Sequence, residues 1–374
     1  MTGTHARHAP ALLIATFLLC AAPTGTSAAP VVVQSALGGT ILGYDVDPNG
    51  TLGILSEYVP HGDGTNDVAV ETFDLQTGAI VKFVKQKSDT HDDYVVLGTA
   101  SGGAGLVETE HASGIFVDRR SFNLVDPLTA GTFTGKWTPP LHGKKDIISA
   151  FGASAVSSNS AVMGFVNGGH NPTFLYTTNA AANTFGPAIK VKDPILAFND
   201  SPVMAFDGAH GQAMVGASNG CPDCGSELFS VDLASGAKKH LATVGVGYVN
   251  GVAVDEADGI VCTTTEIDFS VEFYNIATHQ LLHETIQGAT SQANSGTAVG
   301  YDPVAKLFFL GQPFSSTAQH GSSVQIYDKD GNFVKSVNNL ALPASPVRIA
   351  LVPGLRMGFV QSSANGSQLQ TFTY

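Results

Sequence analysis

Two cysteines three positions apart, Cys221 and Cys224 in the stretch NGCPDCGSEL, have the spacing of a disulfide, a thiolate metal site or a redox pair, and only their context separates the three. Elsewhere the chain scatters imidazoles and carboxylates. His61, Glu108, His111, His170 and Glu266 are the types that hold zinc or a harder divalent cation. None of them falls in a tight motif such as H-E-x-x-H, so a shared site would have to be assembled by the fold.

The elements that would assemble it begin after an export signal. A basic, polar start (His5, Arg7, His8) leads into the apolar run ALLIATFLLCAA and then TGTSAA, the layout of a cleavable secretory peptide. Cleavage is expected after Ala28 or Ala29, leaving residues 1–29 as signal peptide and residues 30–374 as one mature domain that is secreted or periplasmic. The run from Ala11 to Ala22 is too short to span a bilayer, and no later segment reads as transmembrane.

Removing the signal takes away Arg7 and no acidic residue, so 17 basic residues face 31 acidic ones. Such a field repels phosphate backbones and excludes nucleic acid as the expected partner. The low charged fraction of 13%, with 42 glycines and many Val, Thr and Ser, points to an all-β chain rich in turns.

One phrase returns along the sequence: ETFDLQTGAIVKF at 71–83, SFNLVDPLTAGTF at 121–133, LFSVDLASGAKKHL at 228–241, EFYNIATHQLLHE at 272–284 and QIYDKDGNFVKSV at 325–337. Each is a strand, an Asp or Asn, a short turn and a second strand. A degenerate copy, TFLYTTNAAANTFG, fits between the second and third. Upstream of each phrase lies another strand pair, such as GVAVDEADGIVCTTTE or TAVGYDPVAKLFFLGQ. Counting both gives seven units of four strands, labelled a to d. The last unit ends at Tyr374 after three strands, and PVVVQSA near the start is the spare strand that completes it. The fold class expected is therefore all-β, a seven-bladed β-propeller of four-stranded antiparallel blades whose N-terminal strand joins the C-terminal blade.

This grammar, with first strands ending in Asp (Asp47, Asp255, Asp302) and the phrase DLQTG, resembles the seven-bladed YVTN-type and lactonase-like propellers, and more loosely WD-type repeats. The YVTN tetrapeptide and the WD dipeptide are both absent, and Trp137 is the single tryptophan. The resemblance implies a ligand face built from the b-to-c and d-to-a loops. The b-to-c loops would carry His61, Asp63 and Asp67; Glu108, Glu110 and His111; His170; Cys221 and Cys224; Glu266 and Asp268; and His320.

Two function classes compete. One is an exported interaction scaffold that presents its loop-rich face to a protein, a glycan or a cell-wall ligand, as a monomer. The other is a metal-assisted hydrolase or lyase of a small ester, lactone or sugar derivative, with a divalent cation held by His61, Glu108, His111, His170 and Glu266 as the cofactor. Redox partnership through the cysteine loop is a third. For Cys221 and Cys224 a disulfide pinching the loop between strands is favoured, since thiolate chemistry prefers a helix N-terminus. Cys262 reads as a small buried hydrophobe. Asp74, Asp232, Asn275 and Asp328 read as turn caps, with Gly78, Gly236 and Gly331 supplying permissive backbone.

Overall fold

Alternating apolar residues rich in Val, Ile, Phe and Thr produce strands throughout, and the turns joining them are short enough to pair neighbours antiparallel. The computed structural model describes residues 31–47, 50–63, 65–88, 92–99, 105–113, 116–125, 133–137, 147–154, 161–167, 173–179, 184–192, 203–217, 225–247, 249–265, 270–286, 298–312, 323–338, 340, 342, 348–362 and 366–374. Residues Val31–Tyr374 make up one compact unit.

The chain enters through β1 (Val32–Gln34) and then lays down sheets one after another. The first is β2 (Thr40–Val46), β3 (Leu52–Pro60), β4 (Asn66–Asp74) and β5 (Ile80–Ser88). The second is β6 (Asp92–Thr99), β7 (Gly105–Ser113), β8 (Phe116–Val125) and β9 (Phe133–Trp137). In the third, β10 (Ile147–Ser154), β11 (Ala161–Asn167) and β12 (Phe174–Asn179) are followed by an outer strand broken into β13 (Thr184–Phe185) and β14 (Ile189–Lys190), both paired with β12. This is the degenerate unit of the sequence. The fourth is β15 (Val203–Asp207), β16 (Gln212–Ala217), β17 (Gly225–Asp232) and β18 (Lys238–Val246). The fifth is β19 (Val249–Asp255), β20 (Ile260–Thr265), β21 (Ser270–Asn275) and β22 (Leu281–Ile286). The sixth is β23 (Val299–Asp302), β24 (Leu307–Gln312), β25 (Ser323–Asp328) and β26 (Phe333–Asn338). The last, β27 (Ala350–Val352), β28 (Met357–Gln361) and β29 (Gln368–Thr373), takes β1 as its fourth strand, with Val32 opposite Gln370 and Gln34 opposite Gln368.

First strands touch first strands in succession: β2 with β6, β6 with β10, β10 with β15, β15 with β19, β19 with β23, β23 with β27, and β27 with β2. The sheets stack face to face, and the core lies between them. Val33, Tyr44, Leu55, Phe73, Met357 and Phe359 make one apolar layer between the last sheet and the first, with the Phe73 and Phe359 rings 5.5 Å apart. Val33 alone, completely buried in β1, contributes about 2 kcal/mol by its burial. Further layers join the fourth sheet to the fifth through Met214, Leu228, Val252 and Val261, and the fifth to the sixth through Cys262, Phe273 and Phe308.

The turns carry the caps expected of them. Asp74 Oδ1 accepts from the Gln76 and Thr77 N–H groups at 3.1 and 2.8 Å, Asp232 from Ser235 at 2.7 Å, Asn275 from Ala277 and Thr278 at 3.0 and 2.9 Å, and Asp328 from Asp330 and Asn332 at 2.9 and 2.8 Å. Gly78, Gly236 and Gly331 sit at φ of 72°, 66° and 81°. In the fifth sheet the corresponding left-handed position is held by His279 at φ 61°. The first turn of the unit repeats the device. Asp255 caps Ala257 and Asp258, and Asp302 caps Val304 and Ala305.

Candidate functional site

The first strands converge on a cavity of about 150 Å³, lined by residues of β2, β15, β19, β23 and β27. Its wall follows from one register position. Two residues before Asp47, Asp207, Asp255, Asp302 and, in the last sheet, Val352 stand Asp45, Ala205, Ala253, Gly300 and Ala350, so four of five side chains there are a methyl or a hydrogen. Asp45 is the exception, and Arg348, just ahead of β27, answers it with Nη1 at 2.9 Å from Asp45 Oδ2. The Tyr44 hydroxyl donates to the Arg348 carbonyl and accepts from Gln361 N–H at 3.1 Å. Burial drives the Tyr44 phenol well above its ordinary value, so it stays a neutral donor. The cavity thus has short apolar walls, one ion pair, and Tyr301 and Glu256 along its lining.

A second cluster lies where the last sheet meets the first. Glu57 on β3 and Glu71 on β4 are both fully buried. Ala36 N–H donates to both Glu71 oxygens at 2.9 Å, while Leu37 N–H and Gly39 N–H donate to the two oxygens of Glu57 at 2.8 Å each. Burial and the hydrogen bond with Glu57 push Glu71 up to about 9, so Glu71 holds the proton and donates it to its neighbour. Burial pushes Glu57 up as well, but the hydrogen bonds from Glu71 and from Leu37, Ser35 and Gly39 outweigh it and leave Glu57 below the usual carboxylate value. These carboxyls grip the β1–β2 connection. Glu272 does the same at the next repeat position that carries an acid, three residues before its turn residue as Glu71 is before Asp74. It accepts Gly245 N–H at 2.8 Å and the Ser270 hydroxyl at 2.7 Å, and Tyr274 donates to its other oxygen.

Of the expected ligand residues, His61, Glu108 and His111 fall among the described residues. His61 Nε2 lies 3.0 Å from Asp67 Oδ2 across the β3–β4 hairpin, with its side chain 38% exposed. Asp63 beside it is turned onto Thr65, accepting from its N–H at 3.0 Å and its hydroxyl at 2.6 Å. Glu108 and His111 were assigned to a loop on the sequence; both belong to strand β7, opposite Phe122 and Arg119. The alternation GLVETEHAS carries the strand further than the density of charge suggested. His170, Glu266, Cys221 and Cys224 lie outside the described residues, as do Asp268 and His320. Among the described residues there is no group of three or more His, Cys, Asp or Glu arranged to hold a metal. Cys262 is fully buried in β20, and burial, then Glu272, raises its thiol well above the ordinary value.

Two features escaped the sequence reading. The shared glutamate of ETFD and EFYN was visible in the aligned phrases, and its recurrence at one register position was the available signal for the carboxylate grips. The stretch GASNG at 216–220 has the G-x-S-x-G spacing of a nucleophile elbow. It starts at the end of strand β16, and residues 218–220 lie outside the described residues.

No protein-family profile matches the chain, and no curated protein matches it. Among solved structures it is similar to the Cps50 (Swd1) beta-propeller domain of Myceliophteria thermophila, with a TM-score of 0.56 over 92% of this chain and 100% of that one, at 10% identity. Together with the successive four-stranded sheets, this shows a β-propeller fold. At that identity it speaks to fold and to nothing finer.

Proposed function

We propose that the protein is an exported interaction scaffold, a closed ring of seven blades that displays its rims to a protein, glycan or cell-wall partner. The successive contacts of the first strands and the β1–β29 pairing support the ring, and the repeat grammar supports a likeness to the YVTN-type and lactonase-like propellers. The signal-like opening, residues 1–29, supports export. The observation that carries the reading is where the acids are used. Asp74, Asp232, Asp328, Asp255 and Asp302 cap turns, and Glu57, Glu71 and Glu272 hold inter-sheet connections, so these carboxyls stiffen the frame on which the loops are presented.

The test is binding set against turnover. The mature protein is offered envelope proteins and glycans from its own source, and the same preparation is assayed with ester and lactone substrates after loading with zinc, calcium or manganese. Saturable retention of a partner, weakened by replacing His61 or Arg348, is the expected result. Metal-dependent turnover with stoichiometric metal would overturn the scaffold reading in favour of the hydrolase.

A further inference from the structure

Leu55 and Phe73 belong to the apolar layer between the last sheet and the first, and Glu57 and Glu71 stand two residues from them along β3 and β4, so the two acids share that face. Against them lies a sheet without charge. Strands β1 (VVQ), β27 (ALV), β28 (MGFVQ) and β29 (QLQTFT) contain no ionisable side chain. Within the first sheet, Asp67 on the same face of β4 is answered by His61 at 3.0 Å, and Tyr44 on β2 gives its hydroxyl proton to the Arg348 carbonyl. Asp45, next to it, is held by Arg348 at 2.9 Å. On β5, Lys85 and Lys87 take register positions opposite Ala69 and Asp67, while Phe83 stands opposite Glu71 itself.

What covers the two acids is slight. The backbone of residues 36, 37 and 39 supplies their N–H donors, and β1 behind it is fastened to β29 by three residue pairs. Gln34 adds an amide bond to Ser367 Oγ at 2.8 Å and receives one from Gln368 at 2.7 Å, and Val33 is the one fully buried side chain of the strand. By contrast, β3 and β4, which carry the acids, are joined by nine residue pairs. Once the proton between them is gone, two carboxylates stand buried on one face and their charge draws water in. Nine pairs against three decide which side yields: the cover lifts and the ladder beneath it stays. No described strand precedes β1, so its departure drags no other element along.

We propose that the proton shared by Glu57 and Glu71 locks a latch: while it is held, residues 31–39 close the seam, and when it leaves, that segment lifts from β29 and the first sheet while the rest of the propeller stays folded. The direction follows from the sign of the shift. Burial, then the hydrogen bond with Glu57, raises Glu71 from 4.5 to about 9 in the folded chain, so the contribution of its proton is complete below about pH 4.5 and is lost as pH climbs through 9. Glu57, held low by the bonds it accepts, is the charged partner throughout that range. The latch is therefore closed at neutral pH and opens in alkali, baring the outer edge of β29. It works at the seam and not at the rims, so it holds whether or not the rims bind a partner.

The test places a nitroxide spin label on Val32→Cys, a 48% exposed position of β1, with Cys221 and Cys224 replaced by serine and Cys262 left buried. Its spectrum is followed from about pH 6 to about pH 10.5, beside the far-ultraviolet circular dichroism of the same samples. An immobilised label is expected at the acid end, giving way to a mobile one with a midpoint near pH 9 while the dichroism is unchanged. Glu71→Gln should keep the label immobilised over the whole range, and Glu57→Gln should cut the mobile fraction at the alkaline end at least about fivefold by removing the partner charge. An immobilised label at the acid end shows that each variant has folded, and if Glu71→Gln does not fold, Glu57→Gln carries the test. A label that never becomes mobile, one that does so only where the dichroism is lost, or a transition that survives Glu71→Gln and moves instead with Lys85→Met overturns the latch. Partner binding at the rims is read by its own assay and would outlast any of these results.

Discussion

The grip on the β1–β2 connection and the grip on the end of β18 both use a carboxylate at one repeat position, yet they differ in number. Glu272 works alone, helped by Ser270 and Tyr274, at a junction where β18 is already joined to β17 by a covalent turn. Glu71 works with Glu57 where β1 is held to β29 by three residue pairs and no such turn. The second acid costs desolvation and forces one proton to be retained. It is found where the chain itself supplies no link, which assigns its role to holding β1 in place.

The largest expected effect comes from removing what the paired acids hold. Deleting residues 30–37 strips Val33 from the core and leaves two buried carboxyls without Ala36 and Leu37, a loss on the order of 4 kcal/mol or more. Thermal melting measures it, and an unchanged midpoint would break the comparison at once. Next comes Glu272→Ala, expected to cost about 2 kcal/mol because Gly245 N–H, Ser270 and Tyr274 all lose their acceptor. Denaturant unfolding reads that loss, and it should be smaller than for Glu57→Ala, which leaves two N–H groups and the Glu71 proton unanswered.

The third test uses pH. Glu71 has its folded value raised from 4.5 to about 9, so its contribution is full below about pH 4.5 and is lost as pH rises toward 9. Glu57, held low, contributes above its ordinary value, and that part is lost as pH falls. Glu71→Gln should therefore flatten the decline in melting temperature between pH 5 and pH 9. The smallest effect is a gain. His279→Gly at φ 61° puts the residue used by Gly78 and Gly236 into the fifth sheet's turn and should add about 1 kcal/mol.

What was legible in the sequence was what is local. The strand pairs and the caps of Asp74, Asp232, Asn275 and Asp328 link residues two to four apart, and the spare strand at 30–36 was found because its absence elsewhere left a gap. The grips were not found, because Ala36 and Glu71 are 35 residues apart and Gly245 and Glu272 27. Tyr44 and the Arg348 carbonyl stand 304 apart, beyond any pattern of spacing. Glu108 and His111 were misplaced for the opposite reason. Their charge suggested a loop, although the period-two pattern around them already belonged to a strand.

The caps have one further consequence. Asp232 and the residues it fastens lie within a single turn, and so do Asp255 and Asp302 with theirs, so each unit of about fifty residues travels with its own fittings. A gene that duplicates or loses a whole unit would deliver or remove a sheet already able to fold its turns. Only the grips at the borders would need to be fitted again, and they can be regained by a single acid at one position of the third strand. Change by whole units, followed by repair at the seams, is the mode of descent this construction favours.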